Sequence, residues 1–266
     1  MVCLWRQDFR QSIGASVVAL LCVLGVSVLQ IPQLHKLSSS QQTDSPETLA
    51  REIQSEKLRL NLLRQLPTFG FDNLTADSIF LNFLQYFGDD EARKETGYSL
   101  SPEYFEVILA RDPHFLEAYL FLSTSTSIYA AMPERSVALM EKGLNSLSPT
   151  VPPKSYYVWR YKGIDELLFL GKAESAKQSF KMAAQWASFY SDDESKQIEA
   201  SSRRTAEFIS SNPKSKLAQI ASWTMILNNR VDNRTREIAI KRIEALGGKV
   251  FITPQGVVQV RPPKED

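Results

Sequence analysis

The sequence predicts an all-α chain: antiparallel helix pairs behind one N-terminal apolar segment. Three observations predict it. Residues 13–31 form a run of 19 without a charge, helical spacing of apolar residues recurs from residue 46 onward, and residue types repeat at an offset of 40. The composition agrees. Of 266 residues, 43% are hydrophobic and 23% charged, with 11 Gly and 13 Pro, which excludes disordered and collagen-like chains. Cys3 and Cys22 are the only cysteines, and His35 and His114 the only histidines. Beyond residue 22 the chain therefore has neither a disulfide nor a Cys/His metal centre.

The apolar run IGASVVALLCVLGVSVLQI would span roughly 28 Å as a helix, close to the hydrocarbon thickness of a bilayer. A lipoprotein signal needs a small residue before its cysteine, and Leu21 precedes Cys22. A cleaved secretory signal needs a small-x-small site, which Gln30-Ile31-Pro32-Gln33 fits poorly. An uncleaved anchor over 13–31 is the preferred reading, with cleavage as the alternative. Arg6 and Arg10 precede the run, so positive-inside bias keeps residues 1–12 cytoplasmic and sends the remainder to a periplasmic or lumenal side.

Residues 32–45 read as a linker, polar from Leu37 to Ser45. A helical domain is expected over 46–248. Ser45-Pro46-Glu47 starts its first helix, with an N-cap serine, proline at the first helical position and an acid in the first turn. Leu49, Ile53, Leu60 and Leu63 stripe one face of that helix. A second helix is predicted over 76–87, closed by Gly88, and a polar turn over 89–100. Further helices follow at 102–111, 115–130, 134–147, 155–170, 173–189, 195–210, 214–228 and 233–246, separated by Pro113, Pro133, Pro149, Pro152-Pro153, Gly171 and Pro213. Residues 249–266 form a tail in which 250–253 and 257–260 flank Pro254-Gln255-Gly256, a predicted hairpin.

The internal repeat refines the fold class. Tyr119 and Trp159, Ser123 and Gly163, Ser136 and Ala176, Met140 and Phe180, and Gly143 and Ala183 each lie 40 apart. Phe105, Ile108 and Leu109 precede Met140, Gly143 and Leu144 by 35, and the loop 151–155 accounts for the difference. Trp223 followed by Ala239, Ile243 and Leu246 reads as a weaker copy. An aromatic residue followed four positions later by a small one lets a partner helix approach closely. These residues resemble the tetratricopeptide repeat, with Asp112-Pro113 and Ser148-Pro149 at the junctions between pairs. The periods of 35 and 40 exceed the 34 usual in that family. Ala130-Ala131-Met132-Pro133 stands where one copy lacks the glycine that the next has at Gly171. An irregular α-bundle is the alternative. The runs Leu74-Thr75-Ala76-Asp77, Phe83-Leu84-Gln85-Tyr86-Phe87-Gly88-Asp89 and Asp112-Pro113-His114-Phe115 further resemble a bacterial group of membrane-anchored tetratricopeptide-like proteins, a resemblance that implies location and fold but no activity.

No phosphate loop, dinucleotide fingerprint or Gly-x-Ser-x-Gly elbow is present. Asp89-Asp90-Glu91 and Asp192-Asp193-Glu194 lack the ligand spacing of a calcium loop and suit helix N-termini instead. No catalytic, cofactor-binding or metal-binding residue is expected, and the enzyme reading is the weakest. Residues 45–200 carry a net charge of −6 and residues 201–266 a net of +6. There is no aromatic-interleaved basic run, so nucleic acid is not an expected partner. Paired helices of this kind offer a groove to protein partners. The candidate contacts are Glu117, Thr124 and Ser127 on one helix and Tyr157, Arg160 and Asp165 on the next. The expected role is a membrane-anchored scaffold or assembly factor for a membrane complex. A permanent structural subunit of such a complex is the alternative, with Gly14, Ala15, Gly25 and Ser27 allowing its apolar helix to pack among others.

Overall fold

A computed structural model describes residues 19–28, 30–31, 46–211, 216–228, 232–252 and 258–263. It divides into two units, Met1–Thr48 and Leu49–Asp266. In the first unit, α1 is helical at 19–28 and 30–31, with Leu20, Leu21, Val23 and Leu24 exposed. No described helix is long and apolar enough to cross a membrane. Residues 13–18 and 29 of the apolar run, and the linker 32–45, lie outside the described residues.

The second unit is helical almost throughout, as the coarse fold class predicts. In chain order its elements are α2 (Pro46–Gln65, whose first three residues belong to the first unit), α3 (Asp72–Gly88), α4 (Asp90–Thr96), α5 (Ser101–Arg111), α6 (Leu116–Leu122), a π-helical segment (Ser123–Tyr129), α7 (Pro133–Leu144), α8 (Tyr156–Leu168), α9 (Ala173–Ala187), α10 (Asp193–Ser211), α11 (Lys216–Asn228) and α12 (Asn233–Ala245). Strands β1 (Lys249–Ile252) and β2 (Val258–Arg261) pair antiparallel, Val250 opposite Val260, where the sequence predicts a hairpin. The predicted turn 254–256 lies outside the described residues.

Two predictions need correction. The polar turn over 89–100 contains the short helix α4, because the Asp89 side chain accepts the Ala92 N–H and so caps a helix start. The single helix over 115–130 changes to π geometry at Ser123, with the Ala130 N–H reaching back five residues to the Ser125 carbonyl. Nothing in Ser-Thr-Ser-Thr-Ser breaks a helix, although each hydroxyl competes weakly for backbone groups.

The principal core is aromatic. Phe83 of α3 has no exposed surface and meets Phe105 of α5 edge-on at 4.6 Å and Phe87 in a stacked arrangement at 5.6 Å. Such pairs add stability beyond the area they bury. Around them lie Tyr104, Ile108, Tyr119, Leu122, Met140 and Tyr156. α2 lies beside α5. Its last carbonyls, Leu63 and Arg64, and that of Leu66 beyond it accept from Arg111 Nη2 at 2.7, 3.2 and 2.6 Å. One guanidinium thereby closes the helix end that would otherwise leave acceptors unpaired.

Helix pairing follows the small residues. A Cβ at Gly143 of α7 would fall 2.7 Å from the Tyr119 ring of α6, and one at Gly163 of α8 would fall 3.1 Å from the Phe180 ring of α9. A second core, Ala176 and Phe180 with Ala206 and Ile209, joins α9 to α10. The C-terminal helices α11 and α12 form a further pair around Trp223, Ile226, Ala239 and Ile243. That pair lies across the turns inside the earlier pairs. Trp223 meets Phe169 edge-on at 5.6 Å, Thr235 Oγ1 donates to the Tyr129 carbonyl at 2.8 Å, and Arg242 pairs with Glu134. Gly97, at φ +68°, lies so close to the Asp232 carboxylate that a Cβ would come within 2.7 Å of it. Trp223, Ala239 and Ile243, which the sequence reads as a weaker repeat copy, pack together in α11 and α12, in surroundings that differ from those of the earlier pairs.

Candidate functional site

The polar residues that the sequence assigns to a groove lie on α6, the π-helical segment and α8. Their side chains have three different fates.

Asp165 and Ser127 come together, but in the interior. Both are fully buried. Three hydroxyls converge on the Asp165 carboxylate: Ser123 Oγ donates to Oδ1 at 2.9 Å, and Ser127 Oγ and Ser136 Oγ donate to Oδ2 at 2.6 and 2.8 Å. Ser123 and Ser127 share one face of the π-helical segment, Ser136 comes from α7, and Asp165 from α8. The cluster thus ties three elements together. Burial pushes the Asp165 carboxyl up from 3.8 to about 6, although the three donors act in the opposite direction. This carboxylate does not face solvent, so its first role is to hold α8 against the neighbouring pair. Beside it Ser125 Oγ and Thr126 Oγ1 are buried without hydrogen-bond partners.

A second buried polar group lies on the same helix, its two residues bracketing Asp165 in sequence. Lys162 Nζ pairs with Glu166 at 2.6 Å, and Ser179 Oγ of α9 donates to the other Glu166 oxygen at 2.6 Å. Ionic groups this deep cost desolvation, which their mutual hydrogen bonds offset.

Tyr157 and Arg160 turn toward α10. Tyr157 Oη donates to Glu194 at 2.5 Å, and Arg160 Nη1 donates to Ser201 and Ser202 at 3.1 and 2.9 Å. Both stay half-buried, and Tyr157 stacks on Tyr161 at 6.0 Å. Burial and the Glu194 hydrogen bond push the Tyr157 hydroxyl up. Glu117 is exposed and Thr124 half-buried. Of the six predicted contacts, Ser127 and Asp165 are therefore corrected to interior positions, while Glu117, Thr124, Tyr157 and Arg160 keep solvent-facing surface. Leu120, 46% exposed, and Phe121, packed edge-on against Phe80 at 5.3 Å, extend that surface along α6.

Ser123 and Ser136 belong to the Asp165 cluster, yet the sequence reading uses them only as repeat positions. A signal was available. Ser123, Ser127 and Ser136 stand 40 residues before Gly163, Leu167 and Ala176, so one copy is polar where the next is apolar or small. Polar residues at packing positions require a buried polar partner.

The described residues also line two clefts. One, about 400 Å³, is lined by Thr96, Tyr98, Asp232, Asn233 and Arg234, among others. The other, about 530 Å³, lies between α9 and α10 and is lined by Lys181, Gln185, Arg203 and Glu207, among others. No group of three or more His, Cys, Asp or Glu that could hold a metal occurs among the described residues. Cys22 is free and exposed. No protein-family model, curated protein or solved structure matches the chain.

Proposed function

We propose that this chain is a membrane-anchored helical-repeat protein that binds other proteins and serves as a scaffold or assembly factor for a membrane complex. The observation that carries the reading is the close approach of paired helices at the repeat positions, Tyr119 against Gly143 and Phe180 against Gly163. That pairing leaves Glu117, Leu120, Thr124 and Tyr157 with exposed or half-buried surface on α6, the π-helical segment and α8. The apolar run 13–31 serves as the anchor, with residues 1–12 in the cytoplasm and the helical unit on the periplasmic or lumenal side. Anchoring confines the unit to two dimensions and raises its effective concentration near membrane partners. No chemistry on substrates is assigned to it.

A photo-reactive amino acid at Thr124 or Glu117 of the full-length chain in native membranes tests the reading. Membrane-complex subunits should cross-link from these positions and not from Lys142, an exposed residue of α7. Cross-linking that is equal from all three positions, or absent from all, would remove the proposed binding surface.

A further inference from the structure

The C-terminal half of α2 is apolar on both faces. Leu60 is buried and Leu63 half-buried on the side facing the core. On the opposite side Leu58, Leu62 and, just past the helix, Leu66 are 56%, 60% and 54% exposed. The row continues through the turn into α3, where Phe69 is 87% exposed and Phe71, Leu74 and Leu81 are each more than 60% exposed. A water-facing helix surface carries polar residues at such positions. An uncovered apolar row of this length marks a contact.

We infer that this row docks on the lipid interface of the membrane, inserting Leu62, Leu66, Phe69 and Phe71 at the boundary between headgroups and acyl chains. The inference rests on the proposed anchoring of residues 13–31. Three observations favour lipid over a protein partner. First, the row consists of Leu and Phe alone and has none of the Trp, Tyr or Arg that dominate protein-interface energetics. Second, several polar groups of the turn are paired within the chain, which lowers the cost of approaching lipid. Arg111 takes the Leu63, Arg64 and Leu66 carbonyls, Thr68 Oγ1 donates to Asp72 at 2.7 Å, and the Phe71 N–H donates to the Thr68 carbonyl at 2.9 Å. Third, reach permits it. Only 14 residues separate Ile31 from Pro46, so Pro46 can lie no farther from Ile31 than about 50 Å, the reach of a fully extended chain of that length.

The charge distribution indicates which kind of surface. Residues 46–81 hold four Lys or Arg against five Asp or Glu. Arg59 and Arg64 are moreover paired with Glu56 and Glu106. Insertion is therefore apolar and should not depend on anionic lipid.

The full-length chain with Cys3→Ser and Cys22→Ser, reconstituted in phosphatidylcholine vesicles, provides the test. Single cysteines at Phe69, Leu62 or the exposed control Lys241 would carry an environment-sensitive fluorophore, with circular dichroism confirming the helical fold of each variant. The expected result is that the chain floats with the vesicles and that doxyl-labelled lipid quenches positions 69 and 62 several-fold more strongly than 241. Adding anionic lipid should leave that ratio unchanged. Flotation with equal quenching at all three positions overturns the docking and leaves the anchor standing. A chain that does not float overturns the anchor reading, and the docking falls with it. Positions 62 and 69 shielded from water but not quenched by lipid, increasingly so at higher protein density, would assign the row to a second copy of the chain and overturn the inference.

Discussion

A carboxylate with no exposed surface must either lose its charge or be surrounded by donors, and Asp165 is poised between the two. Its three serine donors favour the ionised form, yet burial outweighs them and lifts the carboxyl from 3.8 to about 6. The folded state therefore holds this proton more tightly than the unfolded chain does, and between the two values unfolding releases a proton. Stability from this group is complete below pH 4 and is lost as pH rises through 6, by up to about 3 kcal/mol. Asp165→Asn, whose amide can still pair with hydroxyls that both donate and accept, should remove the dependence. Urea midpoints of the two proteins should converge near pH 4 and separate toward pH 7, with the variant higher. Midpoints that move in parallel would mean that Asp165 does not titrate in this window. Asp165→Ala strands three hydroxyl donors and should cost about 3 kcal/mol at pH 7 by the same measurement.

Among the elements, the tightest constraints sit where one helix has no side chain and its partner has a ring. Gly143 and Gly163 both meet this description, but to different degrees. A Cβ at Gly143 would overlap the Tyr119 ring, whose hydroxyl is fixed by a 2.8 Å bond to the Pro113 carbonyl. One at Gly163 meets Phe180 at a tight but yielding 3.1 Å. Gly163→Leu should destabilise by about 2–4 kcal/mol through overpacking. For alanine the order is predicted to be Gly143 worse than Gly163, by at least 1 kcal/mol on the same scale, and equal losses would contradict the geometry. Arg111 acts at the end of α2. Arg111→Met keeps its stem but frees the Leu63 and Leu66 carbonyls, so amide exchange should speed up over residues 62–71 while α8 and α9 stay protected.

These element-level features were unequally legible. Helix starts were readable because Pro102 and Pro133 each fall in the first turn of a helix, and proline at that point needs no partner for a missing N–H. The π-helical segment was not, since Ser123 and Ser127 find their common partner Asp165 only on the distant helix α8. The partners of Tyr157 and Arg160 were also hidden. Glu194, Ser201 and Ser202 are 37 to 42 residues away in the chain, and only the placement of α10 brings them within bonding distance.

For the whole molecule, the C-terminal pair binds parts that are distant in sequence. Trp223, 1% exposed, sits at the meeting point of α11, α12 and Phe169, with the Arg242 guanidinium 5.6 Å from its ring. Trp223→Ala should cost about 3–5 kcal/mol. The loss should spread beyond α11, increasing hydrogen exchange at residues 97–100, 129–133 and 169–172, where Asp232, Thr235 and Trp223 make their contacts. Exchange confined to α11 and α12 would show instead that the pair is an appendage.

The sequence by itself determined what depends on local chemistry. It established the helical class, the helix boundaries set by proline and glycine, the terminal hairpin, the acidic caps at Asp89 and Asp192, and the spacing that places Tyr119 and Phe180 against small residues. These follow from backbone geometry and from which side chains tolerate close approach, both encoded within a few residues. Only the tertiary structure decided that Asp165 and Ser127 belong to the interior, that α11–α12 lie across the turns of earlier pairs, and that no element among the described residues covers the leucine row of α2. Burial is a property of what packs on a residue. In a chain of antiparallel helices either face of a polar-flanked helix can become the core, so the choice rests with partners from 29 positions away, as for Ser136 and Asp165, to more than 100, as for Tyr129 and Thr235.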